Sequence, residues 1–348
     1  IFEDSLTIEA ALRRLNAGMN HLEGWNYANM PATAELIAPV LEQKPSQRLR
    51  EVTRILSGAS LRGNPILWLI VNIIVPWDYY FGWRLEGVKA VLRENLPAWL
   101  DVWHEVEALS SLATYAYLHP AYTVPNVNAD ATPVFTTTQI GHPLIHDTVR
   151  VRNDFSFDHL GEIVLITGSN MSGKSSFLRT LGVNLALAYA GGRVCADDLS
   201  TAVFRLYTSI RVTDSLDDGI SYFYAEVRRL RGLLDALNNT NAPPLFFLID
   251  EIFRGTNNRE RLIGSRAYVQ ALAEKRGVGL VATHDLELAA LADVDERIRN
   301  AHFREDVHNG RMVFDYTLRT GPSPTTNALR IMAQEGLPVG DTTPQSGD

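Results

Sequence analysis

Residues Gly168-Ser169-Asn170-Met171-Ser172-Gly173-Lys174-Ser175 follow, without a gap, the spacing of a loop that holds phosphate. Glycines at both ends of a four-residue filling let the backbone turn tightly, so that successive N–H groups converge on phosphate oxygens. Lys174 offers a point charge to β and γ phosphates, and Ser175 offers a hydroxyl to Mg²⁺. The whole segment from Gly168 to Ser176 is therefore the expected nucleotide-binding loop, with a nucleotide's phosphates and Mg²⁺ as its occupants.

Two further stretches carry chemistry that such a loop needs. Leu245 to Glu251, LFFLIDE, is an apolar run ending in two carboxylates. Asp250 at the tip of a strand would hold Mg²⁺ through water. Glu251, one residue on, can turn toward the γ phosphate and orient or deprotonate an attacking water. Gly279 to Asp285, GLVATHD, is another apolar run, ending at His284, which can reach the γ phosphate or the same water. Catalysis is thus assigned to Glu251, His284 and Lys174, and metal binding to Ser175 and Asp250. The other histidines show no metal-ligand spacing; His142 and His146 are separated by Pro143, which argues against one helix face.

These residues need strands that end side by side and a helix that begins at the loop. Ile163 to Thr167 reads as the strand before the loop, and the apolar residues from Phe177 to Leu187 as the helix after it, whose N-terminus favours an anion. Further strands are expected at 204–210, 245–250, 279–283 and 312–318, with helices between several of them, which is the texture of an α/β domain. The first ~120 residues read differently. LTIEAALRRLNAGMNHLEGW and SQRLREVTRIL have helical spacing, and Leu100, Trp103, Val106, Leu109 and Leu112 or Ala113 share a face of a helix that should stop at His119-Pro120. Trp68, Trp77, Trp83, Trp99 and Trp103 are expected in the core of this half. Residues 121–139, rich in Pro, Thr and Asn, read as a connection or edge strand.

Composition sets limits. The 348-residue chain is 46% hydrophobic and 21% charged, enough for two ordered domains. Its net charge of −8 does not favour tight, unaided DNA binding. The single cysteine, Cys195, rules out an internal disulfide and fits a reducing, cytoplasmic compartment, where it is expected to be buried. The most apolar run, Ile66 to Val75, is half the length of a membrane span and reads as a buried helix. A first residue of Ile suggests an excised piece of a longer chain.

Between the loop and the acidic strand lies DSLDDGISYFYAEVRRLRGLLDAL. After Gly219 it reads as a helix burying Phe223, Val227, Leu230, Leu234 and Leu237. Gly219 and Ser221 at its N-terminus form a second anion-binding device. The order of loop, Ser-bearing helix, acidic strand and His strand is the layout of the ABC-type ATPases, in which the second device binds the γ phosphate of the opposite subunit.

TGSNMSGKSS resembles the phosphate loop of the MutS family of DNA mismatch repair ATPases, usually TGPNMxGKST. GHPLI and VRNDFSF resemble the family's opening strands, the latter its VPND motif. DDGISYFYAE resembles GxSxFxxE, DEIFRGT resembles DEIGRGT, ATHDLEL resembles the ATH loop, and GPSPTTNALRIMAQEGLP resembles the C-terminal segment. EVEALSSLATYAY also resembles the helix that joins the family's helical core to its ATPase. The resemblance covers residues 140 to 338. It implies an α/β P-loop NTPase domain of ABC type (122–348) preceded by a mainly α-helical domain (1–121). It further implies a homodimer with composite ATP sites, Ser221 completing the site of the partner subunit. Ser169 replaces Pro, Phe253 replaces Gly, and Asn257-Asn258-Arg259 replace Ser-Thr. No mismatch-reading domain surrounds IFE at the start, and FRE (303–305) lies within the ATPase region.

The implied function is an ATP-hydrolysing dimeric motor, coupled to DNA in the intact protein, with weak DNA binding by this piece and no membrane contact within it. The alternative is a MutS-related ATPase acting on a protein or membrane assembly, the intact protein then being membrane-associated. A transporter's nucleotide-binding subunit would need an LSGGQ pattern, which is missing.

Overall fold

The computed structural model describes residues 2–59, 77–169, 171–210, 222–253, 255–308 and 311–324. The chain divides into two compact units, Ile1–Ser111 and Leu112–Asp348. Asn170, Gly219, Ser221, Trp68, the apolar run Ile66–Val75 and the C-terminal segment after Pro324 lie outside the described residues.

The first unit is helical: α1 (Phe2–Gly24), α2 (Pro31–Gln43), α3 (Pro45–Ala59) and the start of α4 (Trp77–Leu118). Pro31 stands in the first turn of α2, where its missing N–H is no loss. Met19, Leu22, Ile37, Val40, Leu49, Trp99 and Val102 make the core. Trp99 is buried and donates its indole N–H to Gln43 Oε1 at 2.7 Å, so the one polar atom of the ring is satisfied. The aromatic expectation is corrected at Trp83, which is 75% exposed. On α4 the expected stripe holds at Trp103 and Val106, which pack against this core, and is corrected at Leu109. Trp99 and Val102 face inward and Leu109 is exposed. Among the described residues no helix is long and apolar enough to cross a membrane.

The second unit is built on a six-stranded sheet in the order β12-β9-β4-β8-β7-β6. Its strands are β4 (Ile163–Thr167), β6 (Arg205–Ser209), β7 (Leu245–Asp250), β8 (Gly277–Ala282), β9 (Ile298–His302) and β12 (Arg319–Thr320). All pair in parallel except β12, which runs antiparallel to β9. β4, β7 and β8 are buried along their whole length, the reason their sequences are continuous apolar runs.

Alternate residues feed two cores. Val164, Ile166, Phe246 and Leu248 pack with Phe177, Leu178, Leu181 and Leu185 of α5 (Lys174–Tyr189). Ile163, Leu165, Phe247 and Ile249 pack on the other face with Leu230 and Leu233 of α6 (Tyr222–Leu237) and Tyr268, Val269 and Leu272 of α7 (Asn258–Ala273). On α6 the buried positions are Glu226, Leu230, Leu233 and Leu237, whereas Phe223 is 38% exposed. Of the expected face, Leu230 and Leu237 are buried and Leu234 packs against this core, so the correction is confined to its start, at Phe223.

A second sheet, β1-β5-β2-β3, covers the first core. It comprises β1 (Asn126–Val127), β2 (Phe135–Ile140), β3 (Asn153–Phe157) and β5 (Asp198–Thr201). Within 121–139, β1 lies at the edge of this sheet, as expected of that stretch, whereas β2, which begins at Phe135, is internal and pairs with both β3 and β5. Phe246 of the main sheet meets the rings of Phe135, Phe157 and Phe204 at 5.2, 5.6 and 5.7 Å, all edge-to-face. Each such pair adds about 0.5–1.5 kcal/mol beyond area burial. Residues 312–318, expected as one strand, split between a hairpin of β10 (Glu305–His308) with β11 (Arg311–Phe314) and an irregular segment leading to β12. Cys195 is buried, as expected.

Candidate nucleotide site

Register places the chemistry on one edge. Ile166 pairs with Ala282, and Ala282 with Asp250, so β4, β8 and β7 end in one row. The loop Gly168–Gly173, Asp250-Glu251 and Thr283-His284 all leave the sheet there. The crevice outside the carboxyl ends of parallel strands is where open α/β sheets bind ligands.

The loop's backbone needs its glycines. Gly168 has φ 146° and Gly173 φ 109°. A Cβ on Gly168 would stand 2.6 Å from the Phe303 carbonyl oxygen. A Cβ on Gly173 would stand 2.9 Å from the Tyr316 ring. Gly173 caps α5 without any side-chain bond, so the helix N-terminus is left facing the crevice. Met171 also takes a positive φ, 73°, and its side chain is exposed.

Lys174 is buried and donates to the Gly168 and Ser169 carbonyls, both at 2.7 Å. Ser175 Oγ donates to Asp250 Oδ2 at 2.8 Å. A hydroxyl and a carboxylate converging in this way suit Mg²⁺, which takes one or two protein oxygens and keeps water and phosphate for the rest. Among the described residues no cluster of three His, Cys, Asp or Glu could cage a metal on its own. The donor set therefore fits a metal that arrives with a phosphate.

Glu251 leaves the strand with φ 64°, breaking the alternation that would turn it away from Asp250. Its Oε1 lies 3.0 Å from His284 Nδ1. His284 is in turn held by its neighbour: Asp285 forms a two-pronged pair with Arg261 of α7, at 3.0 and 3.1 Å. Ser172 is buried, and Ser176 lies in the first turn of α5 beside the same crevice.

Several supports lie outside the sequence reading. Ser169, where the resembled family has Pro, donates its hydroxyl to Glu305 Oε2 at 2.7 Å, a bond Pro could not make. Asn257 caps α7 by accepting from the Glu260 N–H at 3.0 Å, as a capping residue should. Asn153, from the VRND stretch, donates to the Tyr316 carbonyl and accepts from the Leu318 N–H, pinning the segment after the hairpin. Asn capping is readable from sequence; the other pairs join residues too far apart to leave a spacing signal.

The crevice is a cavity of about 520 Å³. Besides Lys174, Ser175, Asp250 and Glu251, its lining includes the apolar side chains Ile140, Ile145, Val149 and Val151, with Tyr316. His142 also lines it; burial, then the charges of Arg179 and Arg150, hold its imidazolium below the usual value. Its Nδ1 accepts from the Leu144 N–H at 3.2 Å, which requires that nitrogen unprotonated.

Comparison with known proteins adds to this geometry. Residues 164–341 match the family described as MutS domain V. The chain is 35% identical over 261 residues to the DNA mismatch repair protein MutS of Thermus aquaticus, a match covering 73% of this chain and 30% of that protein. It is 30% identical over 253 residues to the DNA mismatch repair protein MutS of Chloroflexus aurantiacus, covering 70% and 26%. It is 36% identical over 198 residues to the endonuclease MutS2 of Thermus thermophilus, covering 57% and 26%. The chain thus spans between 26% and 30% of the length of these relatives.

Proposed function

Because the chain belongs to the MutS family, we propose that it binds and hydrolyses Mg-ATP as a homodimer and is coupled to DNA in the intact protein. One observation carries this reading: Lys174, the Ser175–Asp250 pair and Glu251, itself bonded to His284, come together at the ends of three parallel strands, with Lys174, Ser175, Asp250 and Glu251 lining one cavity.

The cavity divides the substrate by chemistry. Its apolar lining, with Tyr316, suits a base, and the glycine loop with the N-terminus of α5 suits the phosphates. Lys174 exchanges its two carbonyl partners for phosphate oxygens. Ser175 and Asp250 would hold Mg²⁺, which would neutralise phosphate charge during transfer. Glu251 takes the proton of the attacking water, and His284, whose Nδ1–H donates to Glu251, orients that carboxylate.

Ser221 is proposed to reach the γ phosphate bound by the partner. A mixture of Lys174→Ala and Ser221→Ala chains tests hydrolysis and the dimer together. Each variant alone should be nearly inactive. In the mixed dimer both changes fall in one site and the other stays intact, so activity should partly recover. A wild-type chain without Mg-dependent hydrolysis overturns the ATPase reading; no recovery under proven subunit exchange overturns the shared site.

Binding of DNA by this chain should be weak, salt-sensitive and without mismatch preference, because its net charge is −8. Anisotropy titrations with homoduplex, mismatched and branched DNA check this. Submicromolar, mismatch-selective binding at physiological salt would contradict it. Loss of binding to all three in the full-length protein would favour action on a protein or membrane assembly.

A further inference from the structure

Two residues after Glu251, Phe253 has φ 57°, a left-handed backbone unfavourable to any residue with a Cβ. Such conformations persist only where the surroundings over-determine them. Here the surroundings are specific. The Phe253 N–H donates to Glu226 Oε1 at 2.7 Å, and Glu226 on α6 is only 3% exposed. The Phe253 ring lies 6.3 Å from the Phe223 ring of α6 and 6.2 Å from the Tyr268 ring of α7. Gly264 on α7 leaves space for it, since a Cβ there would stand 2.9 Å from the ring. Gly255 lies close on the other side, where a Cβ would stand 2.7 Å from Phe223 Cβ. Tyr268 ties the two helices together by donating to the Leu230 carbonyl at 2.7 Å. Burial pushes its phenol far above the ordinary value, so it remains a donor.

We propose that Phe253 is a positioning residue for Glu251: its ring, wedged between α6 and α7, sets the turn that carries the Glu251 carboxylate across to His284. The inference rests on the hydrolytic role of Glu251 given above. The backbone between the two residues has little freedom. Glu251 N–H is bonded to the Ala282 carbonyl at 2.9 Å, Ile252 is buried in the core, and Phe253 N–H is bonded to Glu226. With both ends fixed, the ring decides how far the chain between them can relax. It also joins the loop of Glu251 to α6, the helix that Ser221 precedes. A displacement of α6 is then transmitted to the hydrolytic carboxylate of the same chain.

Three variants separate this from a general packing role. Phe253→Ala removes the ring and keeps the strained Cβ. Phe253→Leu keeps most of the apolar bulk. Gly264→Ala leaves Phe253 in place but crowds the ring, although Ala would otherwise favour the helix. Phe253→Ala and Gly264→Ala should each lower kcat by about tenfold while the nucleotide Kd stays within about twofold, the split expected of a misaimed group. Phe253→Leu should keep about half the rate. In a Glu251→Gln background Phe253→Ala should cause no further loss, because the ring acts through that carboxylate. Hydrogen exchange gives a readout that needs no hydrolysis: in Phe253→Ala, residues 251–256 and 222–230 should lose protection together while 245–250 keep theirs. An inactive wild-type chain would defeat the ATPase reading and leave this exchange test standing. Unchanged kcat in Phe253→Ala, a further tenfold loss on the Glu251→Gln background, or unchanged exchange in both segments would overturn the proposal.

Discussion

A Glu251→Gln chain is expected to bind ATP as the wild type does and to hydrolyse it at least about a hundredfold more slowly. The carboxamide keeps the shape of the side chain, and its oxygen can still accept from His284 Nδ1–H, now 3.0 Å from Glu251 Oε1. What is lost is the ability to take a proton. A hundredfold loss corresponds to about 2.7 kcal/mol of transition-state stabilisation, within the range of a general base. Single-turnover hydrolysis beside equilibrium nucleotide binding separates the two effects. A normal rate would remove Glu251 from the chemistry and shift attention to His284.

Lys174→Ala should instead act on binding. Charge-assisted hydrogen bonds contribute about 1.5–3 kcal/mol each, so the nucleotide Kd should rise between about tenfold and a hundredfold. The gross loss is larger, but Lys174 already makes two bonds at 2.7 Å, to the Gly168 and Ser169 carbonyls, and gives these up to meet phosphate. The effect should be strongest for ATP and small for AMP, since the ammonium is directed at the β and γ phosphates. A Kd for ATP within about twofold of wild type would contradict the assignment.

The parts of this fold that are legible in sequence are those in which chemistry and burial coincide. IVLIT and LFFLID are buried on both faces, so their apolar runs are unbroken and their ends can be read closely. The carboxylates and histidine at those ends are found because a strand tip in a parallel sheet has one place to go. The small sheet is less legible by comparison, and β3 is found only through the resemblance of VRNDFSF to an opening strand. FTTTQ ends the stretch that reads as a connection or edge strand, yet Phe135 and the following Ile140 are buried and Thr137 bonds the Asp198 carbonyl at 2.8 Å. DLST, its partner, carries no alternation strong enough to announce a strand. Trp83 shows the opposite failure: a large apolar side chain is a poor guide to burial when it stands alone. Within the site, the bonds from Glu226 to Phe253, from Ser169 to Glu305 and between Arg261 and Asp285 depend on tertiary proximity alone.

The strand order has a consequence for how such a chain can be made. β4 carries the phosphate loop, and both of its neighbours in the sheet come from far downstream: Ile163 pairs with Gly279 on one side and Ile298 on the other. A ribosome releases the loop long before it releases either neighbour. During that interval IVLIT has both edges open, and LFFLID emerges with β6 as its sole available partner. Sheets closed by such distant pairings form slowly, because a long loop must be closed before any contact compensates for it. Exposed apolar strands in the meantime invite association with other chains. Synthesis interrupted between the phosphate loop and β9 would therefore yield the whole loop sequence on a strand lacking at least one of its two neighbours, leaving a nascent chain that depends on being shielded until its last parallel strand arrives.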